Sequence, residues 1–185
     1  MVTPIPSMVD LLGDVRGFMA QLEQGLLGYG LPPTLGHMDH VCYRAATPQE
    51  YLQLRNALAR FGDCLVEGMI GNRPIITYRL HQPLTSPFGP VPCLELAAPK
   101  AGKQHLHGLE HGEIVVSKLQ QLLIDYPNVP FNTKGLAGTS PELTLTLAPY
   151  QVKFHPRSLA DTIALEIARG EVVPVPDDYF IGHHI

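Results

Sequence analysis

The sequence predicts an α+β fold in which two β-α-β-β-β modules form a curved, barrel-like sheet around a cavity, with helices outside. Three observations carry this. Short strand-type runs are interleaved with single amphipathic helices. The order strand, helix, then three further strands occurs twice. Either copy alone would expose a sheet face, so two copies must pack together. The 185 residues, 45% hydrophobic and 16% charged, are enough for one well-cored domain. Gly 17 and Pro 18 point to many turns and short elements.

Val9, Leu12, Val15, Phe18, Leu22 and Leu26 recur with helical period, after Ser7 and Asp10 in capping-box spacing, so the spacing predicts an N-terminal helix over 7–30. Module one spans 36–100. His37–Arg44 reads as a strand with Val41 and Tyr43 on one face and His40, Cys42 and Arg44 on the other. Thr47-Pro48 opens a helix carrying Tyr51, Leu54, Leu58 and Phe61. Cys64–Met69 and Pro74–Leu80 are strands joined around Gly71-Asn72, a tight-hairpin pair. A Pro-rich loop from Gln82 to Pro92 leads to the strand Cys93–Ala97.

Module two, over 106–156, repeats the order. Glu110–Val116 is a strand, and Ser117 and Gln120 stand in capping-box spacing before a helix with Leu119, Leu122 and Leu123. Phe131–Leu136, Glu142–Leu147 and Gln151–His155 follow as strands. A C-terminal helix from Ser158 and a Pro-rich tail fill 157–185, all within the same domain.

A net charge of −4 gives no basic footprint for nucleic acid or an anionic membrane surface. Cys42, Cys64 and Cys93 are odd in number and form no C-x-x-C pair. Met1–Ser7 lacks a basic start, and Asp10 and Asp14 interrupt any apolar run, so no signal peptide is expected. These features predict a cytoplasmic protein with reduced thiols, no membrane span, a small-molecule partner and a monomeric or homodimeric state.

Two β-α-β-β-β units, each with an early strand histidine, resemble the vicinal oxygen chelate (glyoxalase/bleomycin-resistance/dioxygenase) superfamily. The residues carrying the resemblance are Asp39-His40-Val41, Leu94-Glu95-Leu96, and Glu110-His111 with Ile114-Val115-Val116. Within that superfamily the wording is most similar to the bacterial YecM-type proteins, from about Gly36 to His155, with the N-terminal helix and the tail as additions. The resemblance implies a divalent metal (Zn, Fe, Mn, Co or Ni) held by a His/Glu set and chelating oxygens of a small substrate. It implies isomerase, lyase or dioxygenase chemistry, or else metal-independent binding or sequestering of a small molecule.

The expected ligands are His40, Glu95 and His111, with His155 favoured as the fourth if the chain supplies one at all. Lys153 occupies the slot where the superfamily carries a glutamate, and Glu166 is the alternative. Glu95 stands alone between leucines, where a buried carboxylate is costly unless paired or on a cation. Glu113 shares a strand face with His111 and is the candidate general base. Arg79, Arg44 and Lys153 are candidates to bind an acidic, oxygen-rich substrate. Cys42 is expected to be a core thiol.

Overall fold

A computed structural model describes residues 6–183 of the chain. Residues 1–5, part of the stretch expected to carry no signal peptide, and residues 184–185 at the end of the tail lie outside it. The elements are α1 Met8–Leu12, α2 Val15–Gly28, β1 His37–Arg44, α3 Pro48–Leu58, β2 Gly62–Ile70, β3 Arg73–Leu84, β4 Val91–Ala97, β5 Gly108–Val115, α4 Leu119–Asp125, β6 Leu143–Leu147, β7 Tyr150–His155 and α5 Leu159–Ala168.

The α+β class is present, and the module recurs with one strand fewer in its second copy. One seven-stranded sheet runs β2-β3-β4-β1-β5-β7-β6. In each module the first strand lies parallel to the last, β1 beside β4 and β5 beside β7, and the modules join through antiparallel β1 and β5. The first strands, with their histidines, therefore meet at the centre of the sheet. The sheet is open rather than closed into a barrel, with β2 and β6 at its edges.

Four local expectations change. The helix over 7–30 is two helices, because Gly13 at φ +82° ends α1 and the Asp14 side chain caps α2 by accepting from the Gly17 N–H. The Ser7/Asp10 capping box itself forms. Phe131–Leu136 is not a strand: Asn132 alone bridges to Thr144, and residues 134–137 make a single 3-10 turn. Phe131 packs edge-on against Phe154, with ring centres 5.7 Å apart, so its hydrophobicity serves the core rather than a ladder. Ser117 does not cap α4, whose N-cap is Lys118 without a side-chain bond. β3 runs on to Leu84, into the stretch expected to be loop.

Other local signals hold. Thr47 accepts from the Glu50 N–H and Pro48 opens α3. Ser158 accepts from the Asp161 N–H at the start of α5. Gly71 and Asn72 both have positive φ, +57° and +66°, the two-residue turn whose twist matches a hairpin.

One sheet face is apolar. Tyr78, Leu94, Val41, Gly112 and Val152 form a row across β3, β4, β1, β5 and β7. The core there is closed by Met19, Leu22 and Leu26 of α2 and Tyr51 and Leu58 of α3, each buried leucine contributing roughly 2 kcal/mol. Gly112 is required by this packing, since a Cβ there would stand 2.6 Å from Met38 Cε and 3.2 Å from Leu22 Cδ1. The opposite face is polar along its centre. α5 and the tail lie over part of it, with the Met69 N–H of β2 donating to the Val173 carbonyl at 2.8 Å. Beyond that strand the tail reaches α3, where Phe180 stacks on Tyr51.

Candidate metal centre

Strand register builds the polar face. Thr77, Glu95, Cys42, His111 and Gln151 form one row across β3, β4, β1, β5 and β7; Arg79, Cys93, His40, Glu113 and Lys153 form the next on the same face. His40, Glu95 and His111 can offer donor atoms that all lie within 4.8 Å of one another. Two more groups meet that spacing, Asp39 with His40 and His155, and Cys42 with Glu110 and His111.

Two irregularities make this density possible. In the β1–β5 ladder Met38 pairs with Ile114 and His40 with Glu113, which leaves Asp39 unpaired. Further along, Cys42 pairs with His111 and Tyr43 with Leu109, which leaves Glu110 unpaired. Successive strand residues normally face opposite ways, and a bulge re-aims one of them. Each module thus turns an acid and the histidine after it onto the same face.

Asp39 Oδ2 lies 3.2 Å from His40 Nδ1, and Glu110 Oε2 lies 2.5 Å from His111 Nδ1. At His111 this bond fixes the ring and leaves Nε2 for a ligand, whereas the Asp39 contact is an ion pair and both His40 nitrogens lack an aligned hydrogen bond. The acids are themselves held. Asp39 accepts from the Leu159 N–H at 2.6 Å and from His155 Nε2 at 2.9 Å. Glu110 accepts from Arg44 Nε at 2.7 Å and Gln151 Nε2 at 2.5 Å.

The free nitrogens converge. Glu113 Oε1 is 3.4 Å from His40 Nε2 and 3.2 Å from His111 Nε2, yet neither nitrogen makes an aligned hydrogen bond. Both histidines are buried, at 1% and 3% exposure, where unpartnered polar atoms are rare. His155 Nδ1 and Lys153 Nζ stand 3.3 and 3.7 Å from the Glu113 carboxylate.

Electrostatics follow from this packing. Burial disfavours charge on Glu113, but His40 and His111 outweigh it and hold its pKa well below the ordinary value. Burial likewise opposes protonation of His40, yet Glu113 and Asp39 raise its pKa well above that of a free imidazole. His111 is raised in the same way by Glu110 and Glu113. Burial pushes the Cys42 thiol up, with Glu95 adding to the effect, which suits an inert core cysteine.

The expected residues are therefore distributed as follows. His40, Glu95 and His111 are gathered in one group. His155 belongs to the adjoining group with Asp39 and His40. Lys153 is half-buried beside Glu113 and 3.6 Å from Glu142. Arg44 is tied to Glu110, and Arg79 is exposed at the margin of the face. Glu166 lines a cavity of about 270 Å3 together with Glu95, Thr77, Ile75, Ile163 and Val173. Sequence reasoning assigned no role to Asp39, Glu110 or Gln151. The readable signal was an acid directly before the histidine in both modules.

The donor chemistry fits a divalent cation. About 3.4 Å is the edge of a tetrahedron with ~2.1 Å metal–ligand bonds, so Glu113 Oε1 stands at ligand-to-ligand distance from both orphaned Nε2 atoms. Two imidazoles with two carboxylates suit Zn, Fe, Mn, Co or Ni alike.

The family described as YecM protein matches residues 7–166, so it takes in the N-terminal helices as well as both modules. Protein YecM of Escherichia coli (strain K12) is 28% identical over 182 residues, covering 88% of this chain and 95% of its own. A solved structure from structural genomics, Protein EC4020, superposes with a TM-score of 0.74 at 24% identity, over 90% of this chain and 100% of that chain, which speaks for the fold alone. A fosfomycin resistance protein of Listeria monocytogenes, FosX, solved with Mn(II), covers 68% of this chain and 96% of its own at 6% identity. Its TM-score is 0.24.

Proposed function

The chain belongs to the YecM family, and on that footing we propose that it is a divalent-metal-dependent enzyme of the vicinal oxygen chelate kind, acting on a small oxygen-rich metabolite. The observation that carries this reading is the pair of buried, orphaned Nε2 atoms of His40 and His111 facing one carboxylate oxygen at ligand-edge distance. His40, Glu95, His111 and Glu113 would hold the ion. In this assignment Glu113 takes a donor's place, and His155 stays with Asp39.

A metal bound there supplies Lewis acidity, polarising substrate oxygens and stabilising the negative charge that develops on them. The chain's own residues prepare for that. Glu110 orients the His111 imidazole through Nδ1, while Asp39 stands at ion-pair distance from His40 Nδ1 without an aligned hydrogen bond. Lys153 and His155 flank the Glu113 carboxylate and hold it in place. Ile75, Thr77, Ile163 and Val173 wall the cavity beside Glu95, whose volume of about 270 Å3 admits only a small molecule and limits water. Isomerase or lyase chemistry and dioxygenase chemistry differ here in the metal rather than in the protein donors.

The test is elemental analysis of untagged protein after chelation and reconstitution with Mn, Fe, Co, Ni or Zn, beside His40→Ala and Glu95→Ala. About one metal per chain, lost in both folded variants, supports the reading. No uptake of any metal by folded wild type sinks it.

A second reading, metal-independent binding of a small molecule, has its own observation. Asp39, Glu110 and Glu113 each stand at ion-pair distance from one or more of His40, His111, His155, Arg44 and Lys153, so every one of these acids has a basic partner without a metal. Ligand binding that persists in chelator with unchanged affinity would favour it.

A further inference from the structure

Cations collect on the same polar face, beyond Glu95. Arg73 opens β3 two positions before Ile75 and four before Thr77, so it leaves the sheet on the face that carries Glu95. It is 9% exposed, its Nε has no hydrogen-bond partner, and no carboxylate among the described residues pairs with it. Burial, with Arg44 adding to it, holds its pKa below the usual arginine range.

The surroundings supply further positive charge and little negative. A Cβ built on Gly71 would stand 3.6 Å from Lys100 Nζ and 3.8 Å from Arg73 Nη1, so these two cations flank one small space. Lys100 has no ion pair among the described residues. A cavity of about 330 Å3 is walled by Arg44, Pro99, Lys103 and His105; Arg73 and Lys100 are not in its wall but act on His105. Burial followed by Arg44, Arg73 and Lys100 pushes the His105 pKa down. Of the nearby acids, Glu110 is engaged with Arg44 and His111 and Glu50 with His107, while Glu95 acts on Arg73 only from beyond ion-pair distance. A buried guanidinium without a counter-charge is costly, and the missing group is an anion.

We propose that Arg73, with Arg44 and Lys100, binds the anionic oxygen group, a carboxylate or phosphate, of a small molecule. The planar fork of arginine matches both groups in bidentate geometry, and the low exposure strengthens the contact. This site stands on the unpaired cation and requires no metal.

The experiment is thermal unfolding in chelator with sodium phosphate or sodium acetate, against sodium chloride at equal ionic strength. Wild type, Arg73→Met and Lys100→Gln are compared. Wild type gains Tm saturably over chloride with at least one oxyanion, by roughly 3–5 °C at ten times Kd. Arg73→Met loses that gain and is at least as stable as wild type in chloride, because its stem packs without an unpaired charge. Lys100→Gln, at a half-buried position, weakens the apparent Kd several-fold and keeps the test alive should Arg73→Met fail to fold.

Saturation by phosphate alone identifies a phosphate ester as the ligand class, and by acetate alone a carboxylate. No gain over chloride, or an undiminished gain in folded Arg73→Met, overturns the proposal. Because the protein is chelated, failure here leaves the metal reading untouched.

Discussion

Replacing Glu110 by glutamine removes one negative charge from between Arg44 and His111 while keeping nearly the same volume. Burial raises the pKa of Glu110, but His111 and Arg44 outweigh it and bring the group from 4.5 down to about 2. The folded pKa lies below the unfolded one, so the carboxylate contributes stability that is fully present above about pH 4.5 and is lost as pH falls toward 2. Linkage gives about 3 kcal/mol at pH 7, falling to less than half of that at pH 3. Urea unfolding of wild type and Glu110→Gln in chelator measures this difference directly. The variant is expected to be about 3 kcal/mol less stable at neutral pH, with the gap at least halved at pH 3. A penalty that stays constant between pH 7 and pH 3 would refute the electrostatic account and leave hydrogen-bond geometry as the cause.

Two further outcomes check other parts of the structure. Gly112→Ala forces a Cβ against Met38 Cε and Leu22 Cδ1, so it should destabilise by about 1–3 kcal/mol in urea; a loss below about 0.5 kcal/mol would mean that Met38 moves aside freely. Phe180→Ala removes the stack on Tyr51 and the Arg55 guanidinium 5.9 Å from its ring centre. Hydrogen exchange at the Met69 amide, which donates to Val173 of the tail, should then speed up roughly five-fold; unchanged exchange would show that Phe180 does not hold the tail down.

The repeat, the strand histidines and most helix starts were legible because each rests on local chemistry. Thr47 and Ser158 cap by side-chain bonds to nearby amides, and Gly71-Asn72 turns by its own backbone preference. Phe131–Leu136 misled because Phe131, partly buried, packs its ring on Phe154 and the segment makes no ladder beyond Asn132. The bulges at Asp39 and Glu110 were invisible, since a bulge is a relation between two strands and no single strand spells it out. His155 meets Asp39 across 116 residues of chain, a contact only the fold can make. Arg79 drew attention ahead of Arg73 because both sit on one strand face, and only burial separates the exposed one from the unpaired one.

The pairing of β1 with β5 relates the two modules by an approximate dyad, and that dyad brings His40 and His111 to the centre as equivalents. The strands flanking them are not equivalent. On the β4 side the register offers Glu95, while on the β7 side it offers Lys153 and Gln151. The electric field across the site therefore has a direction that the backbone symmetry lacks, running between a carboxylate flank and an ammonium flank. A molecule with a dipole of its own meets two orientations that the fold would make equal and these side chains make unequal. Which way round a ligand sits is thus decided by the difference between the two halves, and would be lost if module two carried the acid of module one at that place.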